Sequence, residues 1–208
     1  MNCTTIVKRL QRLIERARIT TGTYITLKQN YIGQKKFDPE KLRGTTIIVI
    51  FDLNEDGPEP YGHVATYLYR SQQLWFVDAG GEAPTYYDEN LPPARQLFHK
   101  DIQKHRQICA PLTVLFCHLF ICGVEISEIG RRFESVNLKC VHCVARKYMD
   151  TYNLKVNLPK RDIRYYEPER ATELFEFVEQ QLGPAPTKGP APSGKTPDAE
   201  RKRRSRAQ

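Results

Sequence analysis

The sequence predicts an α+β domain: a central mixed or antiparallel sheet packed against a buried central helix. Three segments carry that prediction. Thr45–Leu53 is apolar and rich in β-branched residues, the pattern of a strand covered on both faces. His63–Tyr69 and Leu74–Asp78 flank the polar stretch Arg70-Ser71-Gln72-Gln73, as the arms of a hairpin flank its turn. Leu112–Gly123 reads LTVLFCHLFICG, which is apolar all round when wound as a helix and so belongs inside.

The other elements follow in chain order. Ile6, Leu10, Leu13 and Ala17 have the spacing of an amphipathic first helix. A short strand is expected at Tyr24–Leu27. Asp38-Pro39-Glu40 carries an N-cap residue followed by proline, which starts a short helix through Leu42. Gly57–Gly62, with two prolines, is a loop. A polar strand is expected over Arg95–Gln103, and Pro111 opens the buried helix. Further helices are expected near Ser127–Phe133 and Val141–Tyr152. The last covers Pro168–Leu182, where Leu174, Phe175, Val178 and Leu182 share a face.

The 208 residues, 40% hydrophobic and 27% charged, suffice for one folded domain, expected over residues 1–183. Leu112–Val124, the longest apolar stretch, is too short to span a bilayer, and Thr113, Cys117 and His118 interrupt it. The first residues lack the apolar core of a secretory signal, so the six cysteines are expected to be reduced thiols. The net charge is +8. Residues 184–208 hold seven Lys/Arg against Asp198 and Glu200, a net +5 that leaves +3 for residues 1–183. With five prolines and no aromatic or large aliphatic residue, that tail is expected to be disordered. Its basic cluster, Arg201, Lys202, Arg203, Arg204 and Arg206, suits a polyanion such as DNA or an import receptor.

A cysteine nucleophile needs a base within reach, a group to orient that base, and a means of stabilising the thiolate. Cys109 stands directly before Ala110-Pro111, at or near the cap of the buried helix, where the helix dipole favours an anion. The hairpin supplies a base and its orienter. A two-residue loop at Arg70-Ser71 would set His63 directly opposite Asp78. A four-residue loop at Arg70–Gln73 would shift the register by two and leave them diagonal on one face. In both cases their Cβ atoms come within roughly 5–8 Å. A carboxylate in that position holds an imidazole in one tautomer and stabilises its protonated form. Gln103, six residues before Cys109, is a candidate oxyanion donor beside the Cys109 N–H, and Gln107 is a second.

The order His63, Asp78, Gln103, Cys109 resembles that of the clan containing adenovirus proteases (adenains) and SUMO-deconjugating proteases. Local likeness to adenovirus proteases lies in Phe37–Leu42, Gly62-His63-Val64, Trp75–Gly81, Leu115–Phe120 and Glu167–Leu182. The resemblance implies an adenain-like fold and a viral thiol endopeptidase that cuts capsid and core precursor polypeptides during virion maturation. It further implies a monomer in the host nucleus and the virion, stimulated by viral DNA and a viral peptide, with neither metal nor membrane involved. This sequence departs from the family in having Val64 where a tryptophan usually follows the histidine, and Ala110 where glycine follows the cysteine. A gap-free alignment on Leu115-Phe116-Cys117 would place Thr113 at the nucleophile position and Gln107 six residues before it. That register describes a catalytically inactive relative that binds nucleic acid. A deconjugating protease for a ubiquitin-like modifier is a third reading. Cys140-Val141-His142-Cys143 has metal-like spacing but no second ligand pair, and the segment fits a helix with Val141, Val144, Ala145 and Tyr148 inward, so no metal is expected.

Overall fold

The computed structural model describes residues 20–26, 38–54, 61–103, 108–152 and 168–183. The expected N-terminal helix, Gln107 and the basic tail lie outside the described residues. The chain folds as α+β around a five-stranded mixed sheet of order β1-β2-β3-β4-β5. Strand β1 (Thr20–Thr26) runs parallel to β2 (Thr46–Asn54), beginning four residues before the expected Tyr24. Strands β2, β3 (Tyr61–Arg70) and β4 (Gln73–Val77) are successively antiparallel. A two-residue strand, β5 (Arg95–Gln96), pairs parallel with β4. Before β2, Asp38 caps a single 3-10 turn, Pro39–Lys41, its carboxylate accepting the Glu40 N–H at 3.0 Å.

The hairpin departs from both expected loops. Its turn is Ser71-Gln72, with Arg70 paired to Gln73. Both turn residues adopt left-handed backbone angles, φ 50° and 62°, the geometry that matches strand twist in a two-residue turn. The resulting register is the diagonal one for His63 and Asp78. Tyr61 and Gly62, expected in the preceding loop, already belong to β3.

The expected strand over Arg95–Gln103 is corrected: only Arg95–Gln96 is extended in the sheet. Leu97 and Phe98 both pack into the core on the α2 side, whereas successive residues of a strand point to opposite faces, so the chain must leave the sheet there. Its backbone still follows the segment after β4, with Leu97 N–H donating to Phe76 O and Ile102 N–H to Ala79 O, each at 2.9 Å.

Helix α1 (Pro84–Tyr87) is one turn long and was not expected. Helix α2 (Cys109–Ile121) starts two residues before Pro111, which therefore occupies its third position. Proline is tolerated there because first-turn N–H groups have no acceptor within the helix. Cys109 is thus the first helical residue, and Ile108 stands at the cap. Helices α3 (Ile126–Glu134), α4 (Leu138–Thr151) and α5 (Pro168–Leu182) follow.

One face of the sheet, with Ile47, Val49, Val64, Leu68 and Val77, packs on α2 and, through it, on α4 and α5. Leu112, Leu115, Phe116, Leu119 and Phe120 of α2 are almost wholly excluded from water. Each such side chain contributes about 1.5–3 kcal/mol of transfer free energy. The other face carries Ile48, Ile50, Ala65, Tyr67 and Phe76 against Tyr87 and Leu91. No helix among the described residues is long and apolar enough to cross a membrane.

Helix α2 lies along β3 and points the same way. Thr113 Oγ1 donates to Val64 O at 3.3 Å. Cys117 is hydrogen-bonded to Thr66. Arg70 donates to Phe120 O at the last turn, its guanidinium 4.0 Å from the Phe120 ring centroid. A cation at a helix C-terminus interacts favourably with the dipole, and Arg70 adds a side-chain donor to a carbonyl that already accepts the Gly123 N–H at 3.1 Å. Because β4 pairs only with Thr66–Arg70, the first half of β3 extends past it. The start of α2 is fastened there.

Candidate active site

Three elements meet at that end of β3. His63 comes from the strand, Asp78 from the residue just after β4, and Cys109 from the first position of α2. His63 Nε2 lies 2.6 Å from Asp78 Oδ1. His63 is also hydrogen-bonded to Cys109. With Nε2 committed to the carboxylate, Nδ1 is the nitrogen available to the thiol. The Asp78 side chain is wholly buried and that of His63 is 13% exposed. Cys109 is 3% exposed.

Asp78 is held from several directions. Oδ1 also accepts the Gly80 N–H at 2.9 Å, and Oδ2 accepts the Glu82 N–H and the Tyr87 hydroxyl, each at 2.9 Å. Burial opposes ionisation of this carboxyl. The bond and charge of His63, with the Gly80 and Glu82 N–H groups, more than offset burial and hold its pKa below the ordinary value. For His63, burial alone would push the pKa down. Hydrogen bonding and charge from Asp78 and Cys109 outweigh it and raise the imidazolium to about 10. The imidazole is therefore a cation at neutral pH, beside a sulfur at the positive end of a helix.

Tyr87 escaped the sequence reading. Its ring stacks on His63, with centroids 5.8 Å apart and planes 8° apart, while its hydroxyl reaches Asp78. One side chain thus fixes both the plane of the imidazole and the carboxylate behind it. A four-residue helix has no periodicity to detect. The only signal was Pro84, suited to a helix start, shortly after two glycines.

Gln103 is brought to the Asp78 side of this group. Its side chain is nearly buried, and its amide lies so close to Gly80 that a Cβ there would stand 3.2 Å from Nε2 and 3.2 Å from Asp78 Oδ2. Gly80 is the residue that permits this approach. Gln103 Oε1 is buried without a hydrogen-bond partner. Among the described residues, no hydrogen bond joins the Gln103 side chain to His63 or Cys109. Thr113, the alternative nucleophile, sits one turn below Cys109 and is 2% exposed, with its hydroxyl given to Val64 O. It braces the helix against the strand.

Cys140 and Cys143 lie on α4, Cys140 wholly buried, and burial raises the Cys143 thiol above its ordinary range. Among the described residues, no group of three or more His, Cys, Asp or Glu is placed to hold a metal ion. No protein-family model matches the chain, and neither curated proteins nor solved structures yield a significant match.

Proposed function

We propose that the chain is a cysteine endopeptidase of the adenain type, acting on viral precursor polypeptides during virion maturation in the host nucleus. The observation that carries this reading is the hydrogen-bonded line Cys109–His63–Asp78 at the start of a buried helix. The Cys109 thiolate attacks the scissile carbonyl. The His63 imidazolium gives its proton to the departing amine and, now neutral, takes one from the water that hydrolyses the thioester. Asp78 fixes the ring and stabilises its charged form. The developing oxyanion faces the Cys109 N–H at the helix start; the Gln103 amide, beside Gly80 and Asp78, is the second donor that this reading requires to reach it.

Iodoacetamide at neutral pH should alkylate Cys109 ahead of Cys117 and Cys140, and His63→Ala should slow that reaction at least about tenfold. Cys109→Ser should end polypeptide cleavage. Equal alkylation of every cysteine would sink the reading.

A second reading is a virion protein of this fold that binds nucleic acid without turnover. It is supported by the 3% exposure of Cys109 and the net +5 of residues 184–208. It requires that deleting 184–208 weaken DNA binding and flatten its salt dependence. Unchanged affinity would remove the tail, and with it DNA stimulation through the tail, from both readings.

A further inference from the structure

Two backbone N–H groups hold the Asp78 carboxylate, those of Gly80 and Glu82, each at 2.9 Å. A trans peptide unit sets its N–H and its C=O on opposite sides, so whatever holds the carbonyl also fixes the direction of the N–H. The Gly80 N–H belongs to the peptide unit whose carbonyl is Ala79 O, and that oxygen accepts the Ile102 N–H at 2.9 Å. The Glu82 N–H belongs to the unit whose carbonyl is Gly81 O, and that oxygen accepts Gln96 Nε2–H at 2.7 Å. Both backbone donors to Asp78 are therefore held from behind by the stretch from Gln96 to Ile102.

That stretch is itself fastened. Gln96 pairs with Phe76 in the sheet. Leu97 lies against Gly130 of α3, where a Cβ would stand 2.7 Å from Leu97 Cδ1, and Lys100 Nζ donates to Glu134 O at 3.3 Å. Gly81 has φ 79°, and a Cβ on it would stand 2.4 Å from the Lys100 carbonyl carbon, so the two backbones meet where only glycine fits. Ile102 reaches Ala79 with its backbone, which no substitution short of proline removes. Gln96 reaches Gly81 with a half-buried side chain, which a substitution can remove. An amide facing a carbonyl oxygen must present its nitrogen, so the orientation of this one is fixed by its partner.

We propose that Gln96 is a positioning residue for the endopeptidase, holding the Asp78 carboxylate against His63 through the Gly81–Glu82 peptide unit. This rests on the endopeptidase reading and adds to it a residue outside the line Cys109–His63–Asp78. Hydrogen bonds in series inside a protein polarise one another, so a donor at Gly81 O strengthens the N–H that Asp78 receives. Without Gln96, the Glu82 N–H is free to turn from Oδ2, and the carboxylate keeps the Gly80 N–H and the Tyr87 hydroxyl as its supports behind His63. The imidazole is then less firmly oriented, so the loss falls on the chemical step and not on substrate binding.

The test is a double-mutant cycle on the full chain, read as kcat and KM for polypeptide cleavage, with thermal unfolding alongside. Gln96→Met, of similar length and without a donor, should lower kcat about three- to tenfold and leave KM unchanged. In an Asp78→Ala background the same substitution should change kcat by less than about 1.5-fold, because the acceptor through which Gln96 acts is gone. Gln96→Asn, whose amide stops one carbon short of Gly81 O, should follow Gln96→Met and serves where Met disturbs folding. Lys100→Met, which releases the same stretch from Glu134 O without touching the peptide units behind Asp78, should leave kcat within about twofold. A kcat for the Gln96 variants within about twofold of wild type, or a loss as large in Asp78→Ala as in wild type, overturns the role of Gln96 and leaves the endopeptidase standing. Absence of both cleavage and selective Cys109 alkylation in wild type overturns the endopeptidase and the role of Gln96 together.

Discussion

Two cysteines on one helix face show what the site adds to the fold. Cys109 and Cys117 are eight residues apart, a little over two turns, and both turn toward β3. Cys117 is buried completely, has the Thr66 hydroxyl for company, and burial pushes its thiol up to about 12. Cys109 is nearly as buried but meets an imidazole backed by a carboxylate, at the end of the helix where the dipole is positive. Burial alone makes a thiol inert; the proposed nucleophile differs in having a cation and a helix start beside it. The difference lies in which end of β3 each residue reaches, not in the residue itself.

The largest expected effects break that pair apart. Cys109→Ser should cut turnover by roughly a thousandfold or more. Cys117→Ala should leave turnover within about twofold and cost about 1 kcal/mol of stability through a small cavity. Steady-state cleavage with thermal unfolding checks both. Comparable losses of turnover would mean that the two ends of the helix are not chemically distinct.

Next comes Asp78→Asn, which keeps the shape and removes the charge. Turnover should fall about 10²–10⁴-fold, as expected when an imidazole loses its orienting carboxylate. The pH dependence carries a sign. His63 has a folded pKa of about 10 against an ordinary 6.5, so its contribution to stability is complete below 6.5 and is lost as pH rises through 10. Asp78 is depressed, so its contribution is present above its ordinary 3.8 and is lost as pH falls through the lower folded value. The stability difference between wild type and Asp78→Asn should therefore be greatest between about pH 4 and 6.5 and shrink toward pH 10. Denaturant unfolding across that range measures it; a difference that grew with alkalinity would contradict the charged pair.

How much of this could be read from residues alone depended on length and period. The helices α2 and α5 and the strand β2 carry many residues in phase, so their positions were legible. The juxtaposition of His63 and Asp78 was legible because both candidate registers kept them on one face. The exact register was not, because Ser71 and Gln72 adopt left-handed angles without the glycine or asparagine that usually announces them. Tyr87 was hidden because α1 is a single turn. The path of Leu97–Gln103 is set by tertiary burial of adjacent apolar residues, which no period describes. The start of α2 was misplaced by two residues because proline is tolerated throughout a first turn.

Tyr87 tests whether the site needs orientation beyond the carboxylate. Tyr87→Phe keeps the ring over His63 and deletes the bond to Asp78 Oδ2. Stability should fall by about 1 kcal/mol, the usual size for one such bond. Turnover should fall a few-fold in kcat with KM unchanged, because the hydroxyl touches Asp78 and not the substrate. Tyr87→Leu, which removes the stack as well, should cost more. If Phe and Leu behave alike, the ring contributes nothing to holding the imidazole.

Thr113 gives the smallest effect and the sharpest contrast. It lies between the two cysteines, one turn from each, and its hydroxyl is spent on Val64 O. Thr113→Val keeps the volume and leaves that carbonyl without its side-chain donor, so stability should drop by about 1 kcal/mol and turnover by less than about threefold. Thr113→Cys in a Cys109→Ala background puts a thiol one turn deeper, away from the helix start and beside a backbone carbonyl rather than an imidazole. It should restore no cleavage and no fast alkylation. Recovery of activity by that thiol would show that His63 serves the deeper position, and the nucleophile would then belong one turn further into the helix.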